Sequence, residues 1–378
     1  MTGSALIVGG AGSSGRHIVA GLAARGYRLT ILHRGVHEPA WLTLWPHLHA
    51  DPHFATTVEE ALGQARHDLV VLTYGRIEQL ARVFEGRCER LIAVGGVPLY
   101  PGFVDPAATA PPGMALGAAE DAVTAEAAAR IADPAARKFV TKMLAAEEAV
   151  RAGHRRGGYR ATQLHYPRIY GPASIVTQEW SVAKRLRDGR RFLLLPNAGQ
   201  AVVTRCAAEN AAAALLAAVD MPDAAAGEVF NVGDARQFSL AQWARLVIEA
   251  IAGPAAGVEL IGLPPVLNHV AQQFALYGGT MFGHALVSTD KARRLLGYRD
   301  AVDPVAAIAD SARWWYEHGA EVVGRMVIRD DFDYEREEAL RDSLAMLDAA
   351  YPARPLTTPM HTYPHPQAPG MARDHHGR

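Results

Sequence analysis

Between an apolar run, Ala5–Val8, and a stretch with helical periodicity lie Gly9-Gly10-Ala11-Gly12-Ser13-Ser14-Gly15. The glycines at 9, 12 and 15 have a spacing with a chemical purpose. In a strand–turn–helix, one glycine permits the tight turn and a second lets the backbone approach a pyrophosphate. The third lets helix and strand pack closely. The N–H groups where the helix starts, at Ser13, Ser14 and Gly15, then hold phosphates with help from the helix dipole. A lone glycine pattern also fits an ordinary turn. Here it follows a strand and opens a helix at the start of a βαβ unit, the context that dinucleotide binding requires.

The end of the second strand bears on which dinucleotide binds. NAD sites carry an acid there for the ribose hydroxyls, whereas this chain has His33-Arg34. A guanidinium cannot accept a ribose hydroxyl but suits a 2′-phosphate. NADP(H) is therefore preferred, and NAD(H) stays open because Arg34 also fits a solvated loop. Asp51 is placed to accept from the adenine amine, or to shape the turn beside Pro52. Thr73 ends another strand and is expected near the cofactor ribose; Arg76 faces an anionic group or solvent. His47, His49 and His53 lie close in sequence, as do His365, His375 and His376. Neither set has partnering cysteines or lies on a predicted helix. They read as a loop cluster and a loose tail, and no metal is expected.

The elements that must position these groups alternate. Strands are predicted at 5–8, 28–32, 69–72 and 90–94, and helices at 15–25, 58–65 and 77–84. Such alternation predicts a parallel sheet covered on both faces. Residues 101–118 read as a loop. The alanine-rich stretches 119–130 and 135–152 read as helices, alanine being the best helix former. A strand at 162–166 runs into a turn at Pro167. A helix at 207–219 and a strand at 228–232 return to the sheet.

The predicted class is α/β, a Rossmann-type doubly wound parallel sheet with a smaller C-terminal substrate-binding lobe. Residues 1–172, joined by 204–235, form the dinucleotide domain. Residues 173–203 and 236–318 form the lobe. Residues 319–350 add a helical segment, and 351–378 read as a disordered Pro- and His-rich tail.

Composition narrows the classes. The 378 residues are 49% hydrophobic, which supplies a core and excludes a mainly disordered chain. Net charge is −1, so no broad field attracts nucleic acid or an anionic membrane. Cys88 and Cys206 make neither a disulfide framework nor a zinc spacing. No basic leader or apolar span is visible, and a cytoplasmic protein is expected.

Several landmarks in order resemble the extended short-chain dehydrogenase/reductase family, which includes nucleotide-sugar epimerases and dehydratases. They are the Gly9–Gly15 loop, the strand and turn Leu164–Pro172 ending Ile169-Tyr170-Gly171-Pro172, and the segment Gly227-Glu228-Val229-Phe230-Asn231-Val232-Gly233. Leu295-Leu296-Gly297-Tyr298 before a helix ending Arg313-Trp314-Trp315-Tyr316 completes the set. The resemblance covers most of residues 5–318. It implies a nicotinamide cofactor and a small-molecule substrate, and suggests a homodimer through the helices at 119–152.

The family's chemistry uses a Ser or Thr, then Tyr-x-x-x-Lys on a helix, because a proton must move with the hydride. Here Gly95 and Gly96 stand in the serine region, and Phe139 and Met143 align with the tyrosine and lysine. The set is absent. Three replacements offer themselves, each also explicable structurally. Tyr100 follows the fourth strand as a candidate donor or a packed loop tyrosine. Lys142 neighbours the lost lysine but points about 100° away on a helix. His165 ends a strand whose C-terminal edge faces the cofactor and can shuttle protons near neutral pH.

The first expectation is an NADP(H)-dependent oxidoreductase with a non-standard donor and an apolar pocket built from Trp180, Phe274, Tyr277 and Phe282. The alternatives are an isomerase, epimerase or lyase that retains its nicotinamide, and a non-catalytic dinucleotide sensor or scaffold.

Overall fold

A computed structural model describes residues 3–36, 38–123, 125–174, 178–271, 283–325, 332–352 and 369–370. Phe274, Tyr277, Phe282, most of the tail and its histidines 365, 375 and 376 lie outside the described residues.

The strands are β1 (Ser4–Val8), β2 (Arg28–His33), β3 (His47–His49), β4 (His67–Leu72), β5 (Cys88–Gly96), β6 (Arg160–Tyr166), β7 (Arg168–Tyr170), β8 (Phe192–Leu195), β9 (Arg205–Ala207), β10 (Val229–Asn231) and β11 (Glu259–Gly262). Seven form one parallel sheet in the order β10-β6-β5-β4-β1-β2-β3. The order reverses at β1, between β4 and β2, which opens a crevice at the strands' C-terminal ends where ligands bind in such folds.

Alternation along the strands sends side chains to two cores. Ile7, Ile31, Val71, Ile92 and Leu164 pack on one face, against α1 (Gly15–Ala24) and a later helix, Ala208–Asp220. Leu6, Val8, Leu32, Val70 and Leu91 pack on the other. That face is covered by α2 (Ala55–Leu62), α3 (Ile77–Val83) and a long helix, Pro134–Arg155. Burial on both faces explains why these strands read as continuous apolar runs rather than alternating ones.

β3 is a short edge strand that the sequence reading took for a loop. The alanine-rich stretch 119–130 is also broken, into a 3-10 turn at Glu120–Ala122 and α4 (Ala125–Ala129). Propensity without a wide apolar stripe does not sustain a longer helix. α5 (Pro134–Arg155) does have such a stripe, with Val140, Glu147, Val150 and Gly153 buried. Asp133 caps it by accepting from the Ala136 N–H, and Pro134 occupies the first turn.

Beyond β7 come α6 (Gln178–Arg187), α7 (Ala208–Asp220), which packs on the first face of the main sheet, and the short α8 (Pro222–Ala225). α9 (Leu240–Ala252), α10 (Asn268–Ala271), α11 (Asp290–Leu296) and α12 (Pro304–Arg325) follow. β8 pairs with β11 and β7 with β9, both parallel. A capping box between Ser239 and Gln242 starts α9. Trp180 was expected in a substrate pocket. It lies instead in a buried hydrophobic cluster with Ala183 and Trp315, over Gly319, where an added Cβ would come 2.2 Å from the indole. Residues 333–378 form a separate compact unit whose described helix is α13 (Tyr334–Ala350). Among the described residues, no helix is long and apolar enough to cross a membrane.

Candidate functional site

The glycine loop closes β1 and opens α1. Gly9 turns with φ +95°, and a Cβ there would lie 2.5 Å from the Thr73 hydroxyl. At Gly15 a Cβ would come 1.6 Å from the Gly10 carbonyl oxygen, so the turn and helix pack only without a side chain. Gly12 differs: nothing lies within 4 Å of its would-be Cβ. Two glycines thus serve packing inside the protein, and the third keeps an outward face bare. Ser14 precedes α1 without a side-chain capping bond, and α1 has no acid in its first turn. The Gly15 N–H is spent on the Gly12 carbonyl at 3.0 Å, so the N–H groups at Ser13 and Ser14, with a positive helix end behind them, are those that could take a pyrophosphate.

Thr73, at the end of β4, holds the loop rather than reaching outward. Its hydroxyl donates to the Val8 carbonyl at 3.0 Å and accepts the Gly10 N–H at 3.0 Å. Beyond β2, the Arg34 guanidinium lies over the Tyr74 ring at 5.5 Å. Asp51 Oδ1 accepts from the His53 N–H at 3.0 Å and meets His53 Nδ1 at 2.8 Å. These bonds, with Arg34 nearby, hold its carboxyl below the usual range despite partial desolvation. His33 is buried, which pushes its imidazole down, and the neighbouring His49 adds to the effect.

The loop-cluster reading of His47, His49 and His53 needs correction. His47 and His49 alternate along β3 and so share a face, whereas His53 pairs with Asp51.

A cavity of about 690 Å³ opens at the ends of β4, β5 and β6 against α3 and α5. Phe139, Lys142, Met143, Glu147, Gly95 and His165 are on its wall. Strand register sets His165 beside Gly95, where a Cβ would meet the imidazole at ordinary contact distance, 3.5 Å. Behind the wall runs a buried chain of polar groups. His165 Nε2 lies 2.9 Å from Glu147 Oε2, and Arg151 donates to Glu147 Oε1 at 2.5 Å. His165 Nδ1 lies 3.2 Å from the Tyr100 hydroxyl, which donates to Asn231 Oδ1 at 2.5 Å. Asn231 is oriented by donating from Nδ2 to the Ala118 carbonyl.

Burial pushes the Glu147 carboxyl upward, but hydrogen bonds and charge from His165 and Arg151 outweigh it. The net direction is down, toward carboxylate. Burial pushes the Tyr100 hydroxyl up, so it stays protonated. With the Tyr100 proton on Asn231, its oxygen offers His165 only a lone pair. His165 thus bridges the Glu147 carboxylate and the Tyr100 oxygen.

Residues 118–233 match the model of the NAD dependent epimerase/dehydratase family. The match spans under a third of the chain, and over that segment the chain is similar to the family. Solved structures share the fold. A putative epimerase from Burkholderia cenocepacia superposes with a TM-score of 0.63 at 19% identity, over 84% of this chain and 99% of that one. An epimerase from Methanothermobacter thermautotrophicus gives 0.62 at 16%, over 85% and 94%. UDP-glucuronic acid 4-epimerase from Bacillus cereus, solved with UDP-glucuronic acid and NAD, gives 0.60 at 16%, over 83% and 99%. No curated protein matches the chain in sequence.

Against the epimerase/dehydratase pattern, the glycines at 95 and 96 and the Phe139/Met143 pair line one space. The departures from that pattern fall in one place, and His165 borders it from the adjacent strand. Of the three replacement candidates, the structure joins Tyr100 to His165 and sets Lys142 on the same cavity wall. Tyr100 itself is buried behind the histidine and does not line the cavity. Glu147 and Asn231 were missed in sequence. Glu147 had a signal, as an acid on the buried stripe of α5; Asn231 is found only once β10 joins the sheet.

Proposed function

We propose that the chain is a nicotinamide-dependent enzyme that moves a hydride to or from a carbon bearing oxygen, with the Glu147–His165 pair handling the proton. The observation that carries this reading is the imidazole on the cavity wall, braced at both nitrogens where the family's hydroxyl donors are missing. The loop from Gly9 to Gly15, with Gly12, Ser13 and Ser14 outermost, would hold the pyrophosphate. Asp51 and Arg34 would face the adenosine end. The dinucleotide supplies or takes up the hydride when bound. With Nε2 kept on Glu147, His165 exchanges its Nδ1 contact with Tyr100 for the substrate oxygen, giving that proton to the developing alkoxide or taking one from an alcohol, while Glu147 stabilises the imidazolium. Tyr100 and Asn231 hold Nδ1 until substrate arrives. Lys142, on the same cavity wall, would meet an anionic part of the substrate or cofactor.

Arg34 and the lack of an acid at the end of β2 favour NADP(H) and net oxidation or reduction of a small molecule. A second reading, an isomerase that retains NAD, is favoured by the family match.

The first test identifies the nucleotide released on denaturing the purified protein, then measures rebinding of NADPH and NADH. Binding of neither would remove both readings. Turnover is then screened on ketones and nucleotide sugars, following nucleotide oxidation state alongside product. His165→Gln should lower turnover by about 10²–10⁴ with nucleotide affinity unchanged. An unaltered rate would dismiss the pair as proton donor. Tyr100→Phe should keep activity and shift its pH profile.

A further inference from the structure

We propose that His33, Glu38, His47 and His49 form a binding site for one zinc ion at the β2–β3 edge of the sheet. The backbone register builds it. Ile31 pairs with His47 and His33 with His49, so alternation sets all three imidazoles on one face while Leu48 packs against the opposite core. The rings are 4.9–5.5 Å apart between centroids. Glu38 arrives from the loop after β2 and hydrogen-bonds His49 Nε2, with the same oxygen 3.6 Å from His33 Nε2. One donor atom from each of the four residues lies within 4.8 Å of the others.

Packing gives no reason for this gathering, since three imidazoles and one carboxylate contribute little to a core. His33 Nε2 is buried, faces the cluster and has no hydrogen-bond partner. A buried nitrogen left this way costs free energy unless something occupies the space. His47 Nδ1 donates to the Trp45 carbonyl at 2.9 Å, which leaves the Nε2 lone pair for a ligand. A backbone carbonyl behind an imidazole is a common outer contact of metal-bound histidine.

Three imidazoles and a carboxylate suit zinc over magnesium or calcium, which prefer oxygen donors. Zinc–nitrogen bonds of about 2.0–2.1 Å require the donors to close by roughly 1 Å. Ligation through His33 Nε2 also moves its proton to Nδ1 and ends the contact from the Gly35 N–H, now 3.1 Å. The exposed, left-handed Gly35 lies in a turn that can yield. The ion would tie the short edge strand to β2, independently of any reaction in the cavity.

The test uses untagged full-length chain, stripped with chelator and dialysed. Zinc is titrated by calorimetry, bound metal is counted by atomic emission, and cobalt(II) substitution is followed by visible absorption. One zinc per chain is expected, with the intense cobalt bands of a tetrahedral site. His47→Ala with His49→Ala should weaken binding by more than about a hundredfold. Circular dichroism and nucleotide binding should stay as in the wild type. Changing His365, His375 and His376 to Ala should leave zinc binding intact. No uptake by the wild-type chain overturns the proposal, as does uptake that survives the His47/His49 double change or is lost with the tail histidines.

Discussion

The loop at the end of β1 and the wall at the ends of β5 and β6 would meet ligands by different means. The loop is seven consecutive residues, and its working groups are backbone N–H bonds aimed by a turn and a helix end. The wall is made of side chains, and its His165 and Glu147 are joined from behind by Tyr100 and Asn231, four separate segments brought together by the sheet and α5. A backbone site tolerates almost any side chain that points away and almost none where the chain must pack. A side-chain site can lose its usual groups if another strand end supplies a proton carrier in the same space. That difference explains how a chain can carry a glycine loop like that of the family it resembles and yet lack a Ser/Tyr/Lys set.

The largest contrast should come from two substitutions within the loop. Gly15→Ala places a Cβ 1.6 Å from the Gly10 carbonyl oxygen, so the turn must shift. The thermal midpoint should fall and dinucleotide binding be lost together. Gly12→Ala meets nothing within 4 Å, so stability should stay within about 0.5 kcal/mol of the wild type. Its dinucleotide affinity should still drop by about tenfold or more, roughly 1.4 kcal/mol. Calorimetry and nucleotide titration on both variants check this. If Gly12→Ala binds normally, the bare face at Gly12 does not receive the phosphates.

The wall responds to pH where the loop does not. Glu147 is held below its ordinary carboxylate range in the folded protein by His165 and Arg151, against burial. The unfolded chain therefore binds the proton more tightly, and stability rises with pH through this region. The contribution is fully present above the unfolded value of about 4.3 and is lost as pH falls through the lower folded value. Glu147→Gln should cost about 1–3 kcal/mol near pH 7, because two charge-assisted bonds weaken in a buried site. Urea unfolding of both proteins down the acid range should show the gap shrinking below about pH 4. A gap that stays constant with pH would mean the carboxylate is not what holds His165.

How far the sequence revealed each region follows from the same contrast. The loop is local, so spacing disclosed it, and the apolar strand runs disclosed the sheet around it. His165 was visible as a residue type at a strand end, but its partners were not. Tyr100 and Asn231 are 131 positions apart and meet only through β5–β6–β10 pairing. The edge strand β3 was hidden for another reason. His47-Leu48-His49 is too short and too polar to show a period, and pairing with β2 rather than propensity makes it a strand. Hence His33 was weighed only for cofactor choice, and Glu38 not at all.

The smallest expected effect lies at the border of the loop region, where a side chain is asked to discriminate. Arg34 is exposed and rests over Tyr74, so its pairing with a 2′-phosphate would be partly screened by solvent and salt. Arg34→Ser should weaken NADPH by about tenfold and leave NADH unchanged, and raising the salt concentration should narrow the difference. Equal losses for both nucleotides would mean Arg34 meets the shared pyrophosphate, and selectivity would lie elsewhere. No loss for either would make it a solvated arginine. The absence of an acid at the end of β2 would then be compatible with NAD, and the retained-cofactor isomerase would lead. On the NADP(H) reading, discrimination would depend on one exposed side chain in a region otherwise governed by backbone, which is why this substitution separates the two readings of the chain at little cost to its fold.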